Sequence, residues 1–276
     1  NPAGLGFYNT KEVYFNHSNW IADISFDYFG FTVPINTKSV LGFNITSVTM
    51  DDMEVTRYGN EETGETFNAS DYAFGSTYSI NLTDRFSVGL NSKYIQQTIS
   101  NSHAKGFALD IGTLFMTPFG FKLGTSISNF GQKLKMTGDD LLIGADVDEN
   151  MDGNNESVTS VLSTDYFDLP LVLRIGLSSE LGLGVSNQFV WSLDAISPND
   201  NNNYINAGVC LHLSDKLLSF YAGYSSLFLE NKERELAIGI SLKIPKVFNN
   251  SLKIYYSYET MKFLGNNQQL AISLNY

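Results

Sequence analysis

Apolar and polar residues alternate with a period of two along most of the chain. Tyr72, Phe74, Tyr78, Ile80 and Leu82 oppose Ala73, Gly75, Thr77, Ser79 and Asn81. Phe107, Leu109, Ile111 and Phe115 oppose Gly106, Ala108, Asp110 and Gly112. Leu236, Ile238, Ile240, Leu242 and Ile244 oppose Ala237, Gly239, Ser241 and Lys243, and the chain ends with Leu270, Ile272, Leu274 and Tyr276 against Gln269, Ala271, Ser273 and Asn275. Successive side chains of a strand point to opposite faces, so each stretch is a strand with one oily face and one small, polar face. The pattern and its turn punctuation predict fourteen strands, near 12–18, 23–34, 39–49, 71–82, 86–98, 104–117, 121–129, 169–178, 187–195, 204–213, 218–225, 235–244, 251–259 and 268–276. Many approach the roughly 9–11 residues of a tilted membrane-crossing strand.

The second face decides the class. A sandwich turns its polar face to bulk water and carries Lys, Glu and Thr there. Here that face is largely Gly, Ala and Ser, which suits the crowded inside of a modest barrel. Loop lengths agree. Pro34 to Lys38, Thr83 to Arg85, Pro118 to Gly120, Ser214 to Lys216 and Pro245 to Asn250 are brief, and Ser179 to Ser186 is somewhat longer. The two longest connections, near 50–70 and 130–168, share the opposite parity, where Asn19 to Ala22 and Ile99 to His103 are short exceptions. The prediction is an all-β chain: a transmembrane, antiparallel, up-and-down β-barrel of about 14 strands over 12–276, with both termini on the periplasmic side of an outer membrane. Residues 1–11 are expected to be the tail of an N-terminal plug-like segment. The opening at Asn1-Pro2-Ala3 reads as part of something longer.

Composition sharpens this. Aromatics reach 13% with 20 Phe and 15 Tyr, while charged residues are only 17%, less than a soluble surface carries. No apolar run approaches the roughly 18 residues of a membrane-spanning helix. A net charge of −12 with no basic stripe argues against nucleic acid as a partner. One cysteine, Cys210, excludes an intrachain disulfide.

Candidate chemistry is sparse. Asp148, Asn150 and Asp152, followed by Gly153, have the spacing of a calcium loop, whose alternating oxygens converge on a hard cation. The expected Glu at the twelfth position is Thr159, so a possible Ca2+ in the 146–156 loop competes with a plain acidic turn. That loop region is acidic overall, and it is read first as a plain solvated surface and second as a place where divalent cations bridge it to lipopolysaccharide. Lumen-facing polar candidates are Asp110, Arg174, Asp194, Lys243, Lys253 and Glu259, read as internal ion pairs or as a polar track for a ligand. Nothing in the sequence brings a Ser or Asp to His17 or His212, so no catalytic residues are expected and the chain is read as non-enzymatic. The Phe and Tyr usage is read mostly as lipid-facing surface and girdle. The second strand, with Phe29, Phe31 and Val33, carries aromatics on both faces and is expected to meet a plug, a hydrophobic ligand or a partner.

Asn1-Pro2-Ala3-Gly4-Leu5, Asn19-Trp20-Ile21-Ala22-Asp23, Thr63-Gly64-Glu65-Thr66-Phe67, Leu82-Thr83-Asp84-Arg85-Phe86 and Gly106-Phe107-Ala108-Leu109-Asp110 together resemble the PorV/PorQ family of outer-membrane proteins. These are relatives of the FadL-type hydrophobic-compound transporters. The resemblance covers roughly the first half of the chain and continues loosely to the end. It implies a fourteen-stranded barrel in the outer membrane of a Bacteroidetes-like bacterium. It also implies a non-enzymatic role in protein transport by type IX secretion, as a shuttle or docking component with other secretion-system or surface proteins as partners. The alternative is a FadL-like channel for hydrophobic small molecules, with a ligand or detergent in the lumen and a lateral opening. A soluble adhesin-like β protein is a third reading. In FadL-type proteins the region before Asn-Pro-Ala plugs the barrel, and that region is absent from this sequence. Whether the lumen is open or plugged stays undecided at this point.

Overall fold

The computed structural model describes residues 1–8, 10–59, 62–146, 158–247 and 250–276. Among these, fourteen long strands form one antiparallel barrel, one for each predicted segment. They are β1 (Glu12–Asn19), β2 (Ser25–Pro34), β3 (Ser39–Thr49), β4 (Ala69–Thr83), β5 (Phe86–Ile99), β6 (Ser102–Met116), β7 (Phe121–Gly131), β8 (Val172–Leu183), β9 (Asn187–Pro198), β10 (Tyr204–Leu213), β11 (Leu218–Leu227), β12 (Arg234–Val247), β13 (Asn250–Met261) and β14 (Asn266–Asn275). Each strand pairs with the next in sequence. The ring shuts where β1 meets β14, from Glu12↔Asn275 to Asn19↔Gln268. Closure leaves no free sheet edge, the condition for a sheet to cross a bilayer.

The burial pattern is inverted relative to a soluble protein. Eight apolar residues are buried among the described ones, against fifteen polar ones, chiefly serines such as Ser18, Ser79, Ser87 and Ser273. Phe43, Phe74, Phe107, Ile111, Ile238 and Leu270 stand exposed on the outer face. A water-exposed apolar belt of that extent would be an aggregation surface, whereas lipid is its natural solvent. The alternation seen in the sequence thus maps onto apolar-out and polar-in.

Short turns occupy one rim. The connection after β8 is only Gly184 to Ser186, because β8 runs on to Leu183 and β9 begins at Asn187. The longer connection expected there is therefore a tight turn. The other rim carries the long loops. The connection between β7 and β8 folds back over the barrel mouth: Leu134–Lys135 pairs with Tyr166–Phe167, and Thr137–Gly138 adds to the edge of β6 at His103 and Ser102. Leu134 and Leu169 bury themselves against Ala104 and Ala108 inside the barrel wall. This loop therefore fills the long-loop end of the lumen next to β5 and β6.

Asp140 anchors the loop from outside. Its carboxylate accepts from the Asn101 backbone N–H at 2.7 Å and from Asn101 Nδ2 at 3.1 Å. The backbone bond first, then the side-chain bond, holds its pKa below the ordinary 3.8. A carboxyl depressed in the folded state contributes stability above its unfolded pKa and loses it as the pH falls through the lower folded value. Protection of the Asn101 amide, measured against its intrinsic exchange rate at each pH, is expected to persist through the ordinary carboxyl range and to be lost only below it. Loss of protection already at ordinary carboxyl pH would refute the anchor.

Candidate functional site

The lumen is divided into a filled half and an open half. In the filled half a 3-10 helix, Pro2–Phe7, lies against the inner faces of β3 to β6. Asn1 caps it, accepting from the Ala3 backbone N–H at 3.0 Å. Asn1 Nδ2 donates to the Thr113 and Thr125 carbonyls at 2.9 and 3.1 Å, straddling β6 and β7. The Ala3 carbonyl accepts from Ser87 Oγ at 2.7 Å and from Ser79 Oγ at 3.3 Å. Asn81 Nδ2 donates to the Gly6 carbonyl at 2.6 Å. The segment fits because the strands opposite it lack side chains. A Cβ at Gly89 would lie 2.3 Å from the Pro2 carbonyl carbon, and one at Gly112 would lie 2.0 Å from Asn1 Oδ1. The small inward residues legible in the sequence are thus partly a bed for the chain's own first residues.

Above that bed lies a polar network. Lys93 and Asp110 form an ion pair of 2.7 Å with both side chains about nine-tenths covered. Asn91 Nδ2 and the Asn129 backbone N–H donate to the same carboxylate at 2.9 and 2.8 Å. Thr77 Oγ1 donates to Asn91 Oδ1 at 2.9 Å, and Lys93 Nζ also donates to Asn129 Oδ1. Asp110 sits at a register irregularity between β6 and β7, beside Asn129 in the left-handed region at φ 61°.

The opposite half is lined by β1 and β9 to β14 and holds a cavity of about 470 Å³. Tyr14, Tyr221 and Tyr255 wall it together with Val190, Cys210 and the small residues Ser192, Gly208, Gly223, Ala237 and Ala271. Tyr14 and Tyr255 meet edge to face at 6.4 Å, and Tyr14 meets Tyr28 at 5.9 Å. Reading the aromatics mostly as lipid-facing surface therefore needs correction for these tyrosines. Each stands at an inward parity, recognisable in Tyr255, which shares its face with Lys253 and Ser257. Across Ser192↔Gly208↔Gly223 the wall is bare backbone, and an outer groove of about 370 Å³ lies on its far side. The ladder through these three residues is continuous, so no lateral gap opens there.

The six predicted lumen charges all fall on the inward face by register, but they do not form one site. Asp110 belongs to the filled half. Arg174 and Asp194 line a smaller cavity of about 170 Å³ beside Asn1. Glu259 pairs with Arg234 at 3.1 Å near the long-loop rim, where the Arg234 guanidinium also lies over Trp20 at 5.4 Å. Lys243 and Lys253 stand directly opposite each other near the short-turn rim. Sequence reasoning missed the partners Lys93 and Arg234. Lys93 is signalled by alternation with Gly89 and Asn91, while Arg234 lies at a strand end where parity is weak.

Two expectations about the histidines change. Asp27 Oδ1 lies 2.7 Å from His17 Nδ1, and Ser219 Oγ lies 2.8 Å from His212 Nδ1. Strand pairing brings them together from ten and seven residues away, which no linear motif reveals. His17 faces outward next to Phe15, however, and Ser219 is 2% exposed, so neither pair presents a nucleophile to a substrate. The calcium-type residues Asp148, Asn150 and Asp152 lie outside the described residues. Among the described residues no group of three or more His, Cys, Asp or Glu side chains forms a metal site.

No family model and no curated protein matches the chain. Solved structures do match over its whole length. It is similar to a Pseudomonas aeruginosa FadL homologue, with a TM-score of 0.59, 12% identity and 92% of that chain covered. It is similar to the Pseudomonas putida toluene transporter TodX at 0.61, 9% and 91%, and to the monoaromatic hydrocarbon channel CymD at 0.61, 10% and 90%. At these identities the likeness establishes the fold, which is that of the FadL-like outer-membrane barrels.

Proposed function

We propose that the protein is a channel for hydrophobic small molecules in a bacterial outer membrane, with its short-turn rim and both ends of the described chain on the periplasmic side. The observation that carries this reading is the tyrosine-walled cavity in the half of the lumen that the first residues leave open. A barrel held only by internal packing has no need of a largely apolar space of about 470 Å³, which falls within the range of small-molecule sites. The fold neighbours described as toluene or monoaromatic hydrocarbon channels support the same class of cargo. The shuttle role implied by the PorV/PorQ resemblance has no comparable feature behind it, since none of these neighbours is described as a secretion component.

The test fills the cavity. At Gly223 an added Cβ meets nothing nearer than the Ala207 carbonyl oxygen at 3.5 Å, so a larger side chain enters the open space without disturbing the wall. Gly223→Trp is expected to slow entry of a monoaromatic hydrocarbon into proteoliposomes about tenfold while leaving the barrel folded, the loss of roughly one favourable ligand contact set. Entry at the wild-type rate in a folded Gly223→Trp barrel would overturn the reading.

A further inference from the structure

Beyond the short-turn end of the cavity two lysines face each other across neighbouring strands. Lys243 and Lys253 are cross-strand partners on the inward face. Like charges directly opposite on a sheet repel, and they are avoided unless something sits between them. Lys216 lies beside them in the turn between β10 and β11, next to Leu217, whose carbonyl accepts from the Lys243 backbone N–H. That turn is unusual, since Ser214, Asp215 and Lys216 hold φ values of 50°, 58° and 67° in succession. It is fastened by Ser214 N to Asn187 Oδ1 at 3.1 Å and by Lys243 N to the Leu217 carbonyl at 2.8 Å. Among the described residues none of the three lysines forms an ion pair, and the nearby Glu180 is already engaged by Lys122. The Glu12 carboxylate accepts from Ser273 Oγ, and Ser273 is the cross-strand partner of Lys253.

The cluster lies in line with the cavity. Lys253 is two residues below Tyr255 on the same face, a distance of about 7 Å along a strand. Hydroxyls fill the interval: Tyr221 OH and Ser241 Oγ are 3.1 Å apart, and Ser219 bonds His212. An apolar body between Tyr14, Tyr221 and Tyr255 would therefore carry its polar end toward the ammonium groups of Lys243 and Lys253. The ring faces favour a flat body over a long flexible one.

Resting on the channel reading above, the geometry points to an aromatic carboxylate as the cargo, its ring in the cavity and its carboxylate between Lys243 and Lys253 with Lys216 alongside. This differs from a neutral hydrocarbon, which leaves the lysines facing each other.

Binding of phenylbutyrate and of its methyl ester to the detergent-solubilised protein, in a neutral maltoside, separates the possibilities by calorimetry. The acid is expected to bind at least about tenfold more tightly than the ester, the increment of a charge-assisted hydrogen bond. The double substitution Lys243→Gln, Lys253→Gln is expected to bring the acid down to the ester and leave the ester unchanged. It removes a repulsion, so folding is not at risk. Equal affinity of acid and ester in the wild type overturns the carboxylate site while leaving the channel intact. Failure of both to bind overturns the channel reading and this site with it. Inorganic phosphate binding that depends on the lysines, without any advantage of acid over ester, overturns the assignment to cargo.

Discussion

Gly89→Leu is expected to expel the first eight residues from the barrel. A Cβ at this position lies 2.3 Å from the Pro2 carbonyl carbon and 2.4 Å from the Ala3 nitrogen. Both are backbone atoms, so no side-chain rotation relieves the clash. Overpacking a tight interior ordinarily costs about 1–3 kcal/mol, and here the short segment can leave more easily than the strand can move. Its loss forfeits the bonds from Ser79 and Ser87 to the Ala3 carbonyl, while the inter-strand ladder of β4 and β5 is untouched. Limited proteolysis with mass spectrometry should show cleavage within residues 1–8 of a barrel that still resists digestion elsewhere. Solute conductance across a planar bilayer should rise. Gly112→Ala is the milder companion, because its nearest neighbour is the movable Asn1 side chain. Continued protection of residues 1–8 in Gly89→Leu would show that the segment is not seated as described.

Asp110→Ala should be the most destabilising single change in the lumen. It strands the Lys93 ammonium, which is only 14% exposed, and frees the Asn91 and Asn129 donors at once. Removing one partner of a buried pair costs about 3–5 kcal/mol, because the survivor stays desolvated and uncompensated. The double variant Lys93→Met, Asp110→Ala should recover much of that loss, since exchanging the whole pair for apolar volume is close to neutral. Denaturant unfolding in lipid bicelles of the wild type, both single variants and the double variant supplies the cycle. A double variant no more stable than Asp110→Ala would mean that the ion pair is not what holds this region.

How much of this was visible in the sequence follows from what a period of two can encode. It identified the fourteen strands and their inward faces, because a closed barrel leaves each residue only two directions. Asp110, Lys253 and Glu259 have an inward register for that reason. Strand ends were less legible: β8 starts at Val172 rather than near 169, since Leu169 is drawn into the loop's contact with Ala104 and Ala108. Who meets whom across the lumen was not encoded at all. Gly89 gives no local sign that Pro2 lies over it, and Tyr14 gives none that Tyr255 faces it. Such contacts depend on register and curvature summed around the ring. The resemblance in the first half of the chain pointed to the right fold. The open space that argues for cargo lies mostly in the second half, where that resemblance is loose.

The joint between β1 and β14 has a consequence for biogenesis. Ser18 pairs with Gln269, so the two strands that complete the ring come from opposite ends of the described chain. Until β14 has been delivered, β1 and every partial sheet built upon it present an unpaired edge, the very feature that templates aggregation. A sheet lacking β14 keeps one edge of β1 and one edge of β13 unpaired. A truncation that removes β14 should accordingly yield not a smaller barrel but an open sheet that fails to stay monomeric in detergent.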